Sequence, residues 1–159
     1  MAQAIETLRY ILKETPRNPR DVYLAGDSAG GNLVSAVLSH LAHPHPHPQI
    51  EPIKLSEPLG GAVFISPWTW LETEYNGHEI DSRGDIVTEK AAGPWASSYV
   101  DVQNRDNYTD PAIASHEWIR ENGENVRKIL ILAGQNEILL PLIRNFVEKF
   151  QVSILVKLS

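Results

Sequence analysis

The chain has 159 residues and a net charge of −6, and 42% of its residues are hydrophobic. This length fits one domain that buries roughly two-thirds of its unfolded surface, and the acidic balance argues against a nucleic-acid-binding protein, which needs a basic surface. The absence of cysteine excludes disulfides, a thiolate metal site and a cysteine nucleophile.

The N-terminal residues lack the basic start and the apolar block of a signal peptide. No apolar run in the sequence approaches the length that crosses a membrane. We therefore predict no transmembrane segment, and a cytoplasmic location is favoured. The sequence leaves the oligomeric state open.

The first part of the chain predicts a helix, a strand and a second helix. An apolar stripe at helical spacing indicates a helix over residues 2–13, which the prolines at Pro16 and Pro19 bring to an end. An apolar strand over residues 22–25 follows. After a glycine-rich turn, apolar residues again recur at helical spacing over residues 29–41.

A histidine–proline tract follows the second helix. Its alternating prolines favour an extended polyproline-type segment. The imidazoles of His43, His45 and His47 are metal-ligand types, but successive extended residues point apart and offer no fixed geometry. We therefore predict a surface loop, no metal site and no cofactor.

The rest of the chain alternates strands and helices, with a less regular region between residues 67 and 118. The Gly93-Pro94 pair predicts a break in the helix there. Strands that alternate with helices predict an α/β fold with a parallel sheet, in one domain over residues 1–159. The predicted elements are a strand over 62–66, a helix over 88–100, a strand over 129–133, a helix over 140–150 and a strand over 152–158.

The turn between the first strand and the second helix has the pattern of a nucleophile elbow, Gly26-x-Ser28-x-Gly30. In such an elbow the serine hydroxyl is presented on a tight turn above the sheet, and the glycines allow the strand and the helix to pack closely. A dinucleotide fingerprint would need glycine at Ser28, and a P-loop would need lysine at Asn32. The pattern predicts acyl transfer through Ser28, the alternative being a purely structural turn.

The segment Gly26–Leu33, GDSAGGNL, resembles the nucleophile segment of the hormone-sensitive-lipase-like α/β-hydrolases, which are carboxylesterases and lipases. Asp27 before the serine and the doubled glycine Gly30-Gly31 are more specific than a generic elbow. The resemblance continues at residues 59–68, which end in Ser-Pro-Trp, and at residues 128–137. Residues 107–118 are most similar to fungal members.

The resemblance implies a partial α/β-hydrolase fold, a small-molecule ester as substrate and a cap-like insertion over residues 67–118. Trp68 and Trp70 are candidates for the pocket wall, although tryptophan is more often core packing. The backbone N–H of Ala29 is the expected oxyanion donor. Glu137 is the candidate acid; many relatives have aspartate there and a second aspartate four residues later, where this chain has Pro141.

The sequence offers no clear candidate for the base that should accept the proton of the serine. The family supplies its histidine after the last strand, but all six histidines here precede Glu137, namely His40, His43, His45, His47, His78 and His116. The second oxyanion donor should come from a His-Gly-Gly-type loop upstream of Gly26, and no such loop is present. We therefore expect a hydrolase lacking both ends, inactive or weakly active; the alternative is a non-catalytic binding remnant of the same fold.

Overall fold

A computed structural model describes residues 1–71, 84–150 and 155–158 of the chain. Five α-helices and four β-strands lie in these ranges. In chain order they are α1 (Ala2–Glu14), β1 (Tyr23–Asp27), α2 (Ala29–Ala42), β2 (Gly61–Ile65), α3 (Glu89–Tyr99), α4 (His116–Glu124), β3 (Ile129–Ala133), α5 (Leu140–Phe150) and β4 (Leu155–Leu158).

The four strands form one sheet in the order β1-β2-β3-β4, and every pair is parallel. The register aligns Asp27 with Ile65 and Ile65 with Leu132, so the first three strands end side by side. The turns that follow them therefore meet at one edge of the sheet. The parallel α/β architecture expected from the sequence is confirmed.

The core lies between the sheet and its helices. Phe64 of β2 packs against Phe146 and Phe150 of α5, with ring centroids 5.8 and 6.3 Å apart. Ile5 and Leu8 of α1 are buried in the same cluster. Helix α2 packs against β1, β2 and α4, and this contact fixes the turn between β1 and α2 relative to the sheet.

Two elements differ from the sequence-based expectation. The predicted break at Gly93-Pro94 is wrong, because α3 runs through Pro94 without interruption. Proline removes its own backbone N–H donor and crowds the carbonyl of the preceding turn, but the completely buried Ala92 and Ala96 hold the helix on the core. Helix α4 was not predicted; its first turn is capped by Ser115, whose hydroxyl accepts the N–H of Trp118.

The histidine–proline tract is more closely packed than an extended surface loop. The backbone N–H of His45 donates to His40 Nδ1 at 3.1 Å, and the N–H of His47 donates to His45 Nδ1 at 3.1 Å. The His43 ring stacks on Trp118 with centroids 3.7 Å apart. Within the described ranges, no group of three His, Cys, Asp or Glu side chains could hold a metal ion.

Helices of membrane-spanning length and hydropathy are absent from the described ranges.

The final strand is described over Leu155–Leu158, whereas the sequence predicts it from residue 152.

Candidate active site

Ser28 occupies the turn between β1 and α2 in a strained backbone conformation. Its φ of 50° and ψ of −116° lie in a region that non-glycine residues rarely adopt, at a cost of order 1–3 kcal/mol. The turn is held on both sides, because the N–H of Ser28 donates to the Ile65 carbonyl at 2.9 Å and its carbonyl accepts from Trp68 at 3.0 Å. Ser28 therefore lies at the carboxyl end of the sheet.

The glycines of the turn make the close contact between strand and helix possible. A Cβ on Gly26 would lie 2.1 Å from the Gly30 carbonyl oxygen, and a Cβ on Gly31 would lie 2.7 Å from the Pro67 Cβ. A Cβ on Gly30 would meet nothing within 4 Å. Thus Gly26 and Gly31 are required sterically, and Gly30 is not. Asp27 is exposed at the end of β1.

Ala29 is the first residue of α2. The N–H groups of the first helical turn have no acceptor within their own helix, and the helix dipole places partial positive charge there. The N–H of Ala29 is therefore available to an anionic oxygen that forms beside Ser28.

A cavity of about 230 Å³ opens beside Ser28. Its wall is mostly aromatic and apolar. The lining residues are Ser28, Ala29, Asn32, Trp68, Leu71, Trp95 and Tyr99. Of the two tryptophans proposed from the sequence, Trp68 is buried and lies in this wall, whereas Trp70 is 38% exposed and is not among the lining residues. The structure adds Trp95 from α3.

Asn32 joins α2, the helix that follows the elbow, to Trp68, Tyr99 and Thr109. Its side chain is buried, and Nδ2 donates to the carbonyls of Trp68 at 2.8 Å and Thr109 at 2.7 Å. Its Oδ1 accepts the Tyr99 hydroxyl at 3.3 Å. Burial, with Asp106 and Asp110 nearby, raises the pKa of Tyr99, so the phenol keeps its proton for this bond.

Asn32 is not among the site residues predicted from the sequence. The sequence does contain an indication of its role. An amide on the apolar, buried face of a helix needs hydrogen-bond partners from another part of the chain.

Glu137 lies in the loop after β3, at the same edge of the sheet as Ser28. Its Oε1 accepts two hydrogen bonds, from the Ser66 hydroxyl at 2.6 Å and from the Gly134 N–H at 2.9 Å. Its Oε2 is buried and has no hydrogen-bond partner among the described residues. One oxygen of the carboxylate is thus fixed, and the other is free to accept a donor.

The loop of Glu137 is also held by the region that precedes α3. The carboxylate of Asp85 accepts the N–H of Ile138 at 2.7 Å and that of Val87 at 2.9 Å. Together with Ser66, Asp85 thus supports the loop that carries Glu137. Neither role is predictable from the sequence, because the contacts of Ser66 with Glu137 and of Asp85 with Ile138 join segments that are distant in the chain.

None of the described histidines lines the cavity beside Ser28. His40 is a buried residue of α2, and its Nε2 lies 3.1 Å from the Glu51 carbonyl oxygen. His43 lies 3.1 Å from Glu121 through Nε2, and His116 is exposed at the start of α4. His78 lies outside the described residues. Ser28 and Glu137 thus lie at one edge of the sheet, with no described histidine in the cavity beside Ser28.

Comparison with known proteins points to one fold. The family described as "alpha/beta hydrolase fold" matches residues 1–154. No protein of curated function matches the chain significantly.

Three solved esterase structures share the chain's fold. EstE5 soaked with p-nitrophenyl butyrate is 22% identical with a TM-score of 0.72, over 97% of this chain and 47% of that one. An esterase of the bacterial hormone-sensitive lipase family is 23% identical with a TM-score of 0.73, over 98% and 47%. Carboxyl esterase 2 of the mycorrhizal fungus Tuber melanosporum is 21% identical with a TM-score of 0.69, over 96% and 48%. The chain spans about half the length of these structures.

Proposed function

Because the chain belongs to the α/β-hydrolase fold family, we propose that it carries the nucleophile and the acid of a serine carboxylesterase. The observation that carries the proposal is the strained backbone of Ser28, at a turn that opens into an apolar cavity. Proteins retain strain of this kind where it positions a reacting group. Glu137, at the same edge of the sheet, supports the assignment.

In this mechanism Ser28 Oγ attacks the ester carbonyl, and a base takes its proton. The N–H of Ala29 donates to the oxyanion of the tetrahedral intermediate. The base then protonates the departing alcohol, and an acyl-enzyme remains on Ser28. Water, deprotonated by the same base, attacks this ester, and the acid product leaves while the proton returns to Ser28.

The base in this proposal is a histidine from outside the chain. The free, buried Oε2 of Glu137 is the acceptor that such an imidazole requires for its second N–H. We further propose that residues 67–118 form the cap of the pocket, since Trp68, Trp95 and Tyr99 come from this region.

The cavity favours esters with a short acyl group. At about 230 Å³ it is smaller than the roughly 300–1,000 Å³ of sites for drug-sized ligands. Its apolar wall of Trp68, Leu71 and Trp95 suits an alkyl chain. That EstE5 was soaked with p-nitrophenyl butyrate suggests the same ester as the probe.

The test compares the chain with Ser28→Ala on p-nitrophenyl butyrate, with and without added imidazole. Without imidazole we expect equal rates, since loss of a triad histidine costs on the order of 10⁶ in turnover. With imidazole, the wild-type rate should exceed that of Ser28→Ala. Ser28-dependent turnover without imidazole would instead place the base within this chain.

The alternative is a binding remnant of the fold without catalysis, which the absence of a described histidine at the cavity favours. In that case imidazole would raise both rates equally. Quenching of tryptophan fluorescence by butyrate esters, through Trp68 and Trp95, would then report binding alone. Equal rates with imidazole would therefore exclude the esterase proposal.

A further inference from the structure

The turn after β2 contacts both halves of the site. The Ser66 hydroxyl donates to Glu137 Oε1 at 2.6 Å. The next residue, Pro67, lies against Gly31 of the elbow helix, and the N–H of Trp68 donates to the carbonyl of Ser28 at 3.0 Å. One turn of three residues thus connects the proposed acid to the proposed nucleophile.

Ser66 has an unusual backbone for its residue type. With Ser28, it is one of two non-glycine residues of positive φ in the described part of the chain, at 44°. Glycine or asparagine would adopt this conformation at lower cost. The conformation directs the hydroxyl toward the loop after β3, where it meets the carboxylate.

From this geometry we infer that Ser66 is a positioning residue, which fixes Glu137 through Oε1 so that Oε2 faces the base. The inference rests on the proposed function. A hydroxyl that donates to a carboxylate forms one of the stronger hydrogen bonds in proteins. The N–H of Gly134 holds the same oxygen from the loop side. These two donors leave Oε2 as the acceptor for an imidazole N–H.

Two substitutions at Ser66 separate the effect of the hydroxyl from the effect of the backbone conformation. Ser66→Ala removes the hydroxyl and keeps the strain, whereas Ser66→Gly removes both. Both variants should lower kcat for imidazole-assisted hydrolysis of p-nitrophenyl butyrate roughly ten- to hundredfold with an unchanged KM, as expected for a lost hydrogen bond to a charged group. Ser66→Gly should melt at or above the wild-type temperature, so that its loss of activity is not unfolding.

A double-mutant cycle tests whether Ser66 acts through Glu137. In a Glu137→Gln background, Ser66→Ala should cause little further loss, because the group that it positions is already altered. Additive losses, or wild-type rates in both Ser66 variants, would overturn the inference.

A second measurement does not depend on turnover. The ¹³C resonance of the Glu137 carboxyl, assigned with Glu137→Gln, should move at fixed pH in both Ser66 variants. It should not move in Ser98→Ala, where the lost bond is to the Pro94 carbonyl of α3. A wild-type chain without Ser28-dependent turnover in the presence of imidazole would refute the proposed function, and a stationary resonance would refute the contact between Ser66 and Glu137.

Discussion

The amide of Asn32 donates to the backbone carbonyl of Trp68 at 2.8 Å and thereby joins the elbow helix to the wall of the cavity. The same nitrogen donates to Thr109 at 2.7 Å. Both protons of a buried amide are therefore used, one for each carbonyl.

Replacing Asn32 with alanine should destabilise the chain. The change leaves the carbonyls of Trp68 and Thr109 without this donor, and each buried unsatisfied group costs about 1–3 kcal/mol. We expect a loss of roughly 2–4 kcal/mol in the free energy of unfolding, measured with urea. The exposed Asn104→Ala serves as the control, and an equal loss in both variants would contradict the role given to Asn32.

The glycines of the elbow should respond oppositely to alanine. Gly26→Ala places a methyl group 2.1 Å from the Gly30 carbonyl oxygen and should cost about 3 kcal/mol or more. Gly30→Ala meets open space in the first turn of α2, and helices favour alanine over glycine by up to about 1 kcal/mol. Urea unfolding of the two variants tests the pair, and a Gly30→Ala loss as large as that of Gly26→Ala would show that the elbow is packed differently.

Ser39 connects α2 to α4, and its loss should weaken that contact. Its buried hydroxyl oxygen accepts from Trp118 Nε1 at 3.1 Å and from Asn122 Nδ2 at 2.8 Å. Ser39→Ala should lower the free energy of unfolding by roughly 1–3 kcal/mol because both donors lose their acceptor. Ser98→Ala on the exposed face of α3 should change it by less than about 0.5 kcal/mol.

Stability should decrease as the pH falls below about 6.5, the ordinary pKa of histidine. Burial lowers the pKa of His40, and His45 and Arg9 act in the same direction against the hydrogen bond to the Glu51 carbonyl. Its Nδ1 accepts the N–H of His45, so protonation would break this bond.

The sign follows from proton uptake. Below pH 6.5 the unfolded chain binds a proton at His40 that the folded chain resists, so unfolding is favoured progressively until the lowered folded-state pKa is passed. Urea titrations across this range should show the decrease, and His40→Gln should remove part of it. His116→Gln, at an exposed position, should leave the wild-type slope; identical slopes for all three proteins would assign the effect to other groups.

The sequence predicts those elements whose own residues show a clear strand or helix pattern. The continuous apolar run Ile129–Ala133 is a partly buried parallel strand, and the amphipathic stretch Leu140–Phe150 is a helix; the structure agrees with both predictions. Helix α4 was missed because its nine residues include Gly123 and Asn122. Its stability comes from tertiary contacts, among them those to Ser39, which no local pattern reveals.

The same distinction holds for the candidate site. Ser28 was recognisable because the elbow is a local motif of strand, turn and helix. The contacts of Asn32, Ser66 and Asp85 join segments that meet only in the folded chain. Ser66, before a proline, and Asn32, in a helix, could each have many roles. Which role each has depends on the residue that it contacts in the folded chain.

The hydrogen bond between Ser66 and Glu137 spans 71 residues, and that between Asn32 and Thr109 spans 77. Contacts of such sequence separation form only after long loops have closed, and they slow folding. During synthesis, the ribosome therefore adds the elbow around Ser28 well before it adds Glu137. We therefore expect the contacts of the candidate site to form late in folding. They form when β3 pairs with β2, and not when the elbow around Ser28 folds.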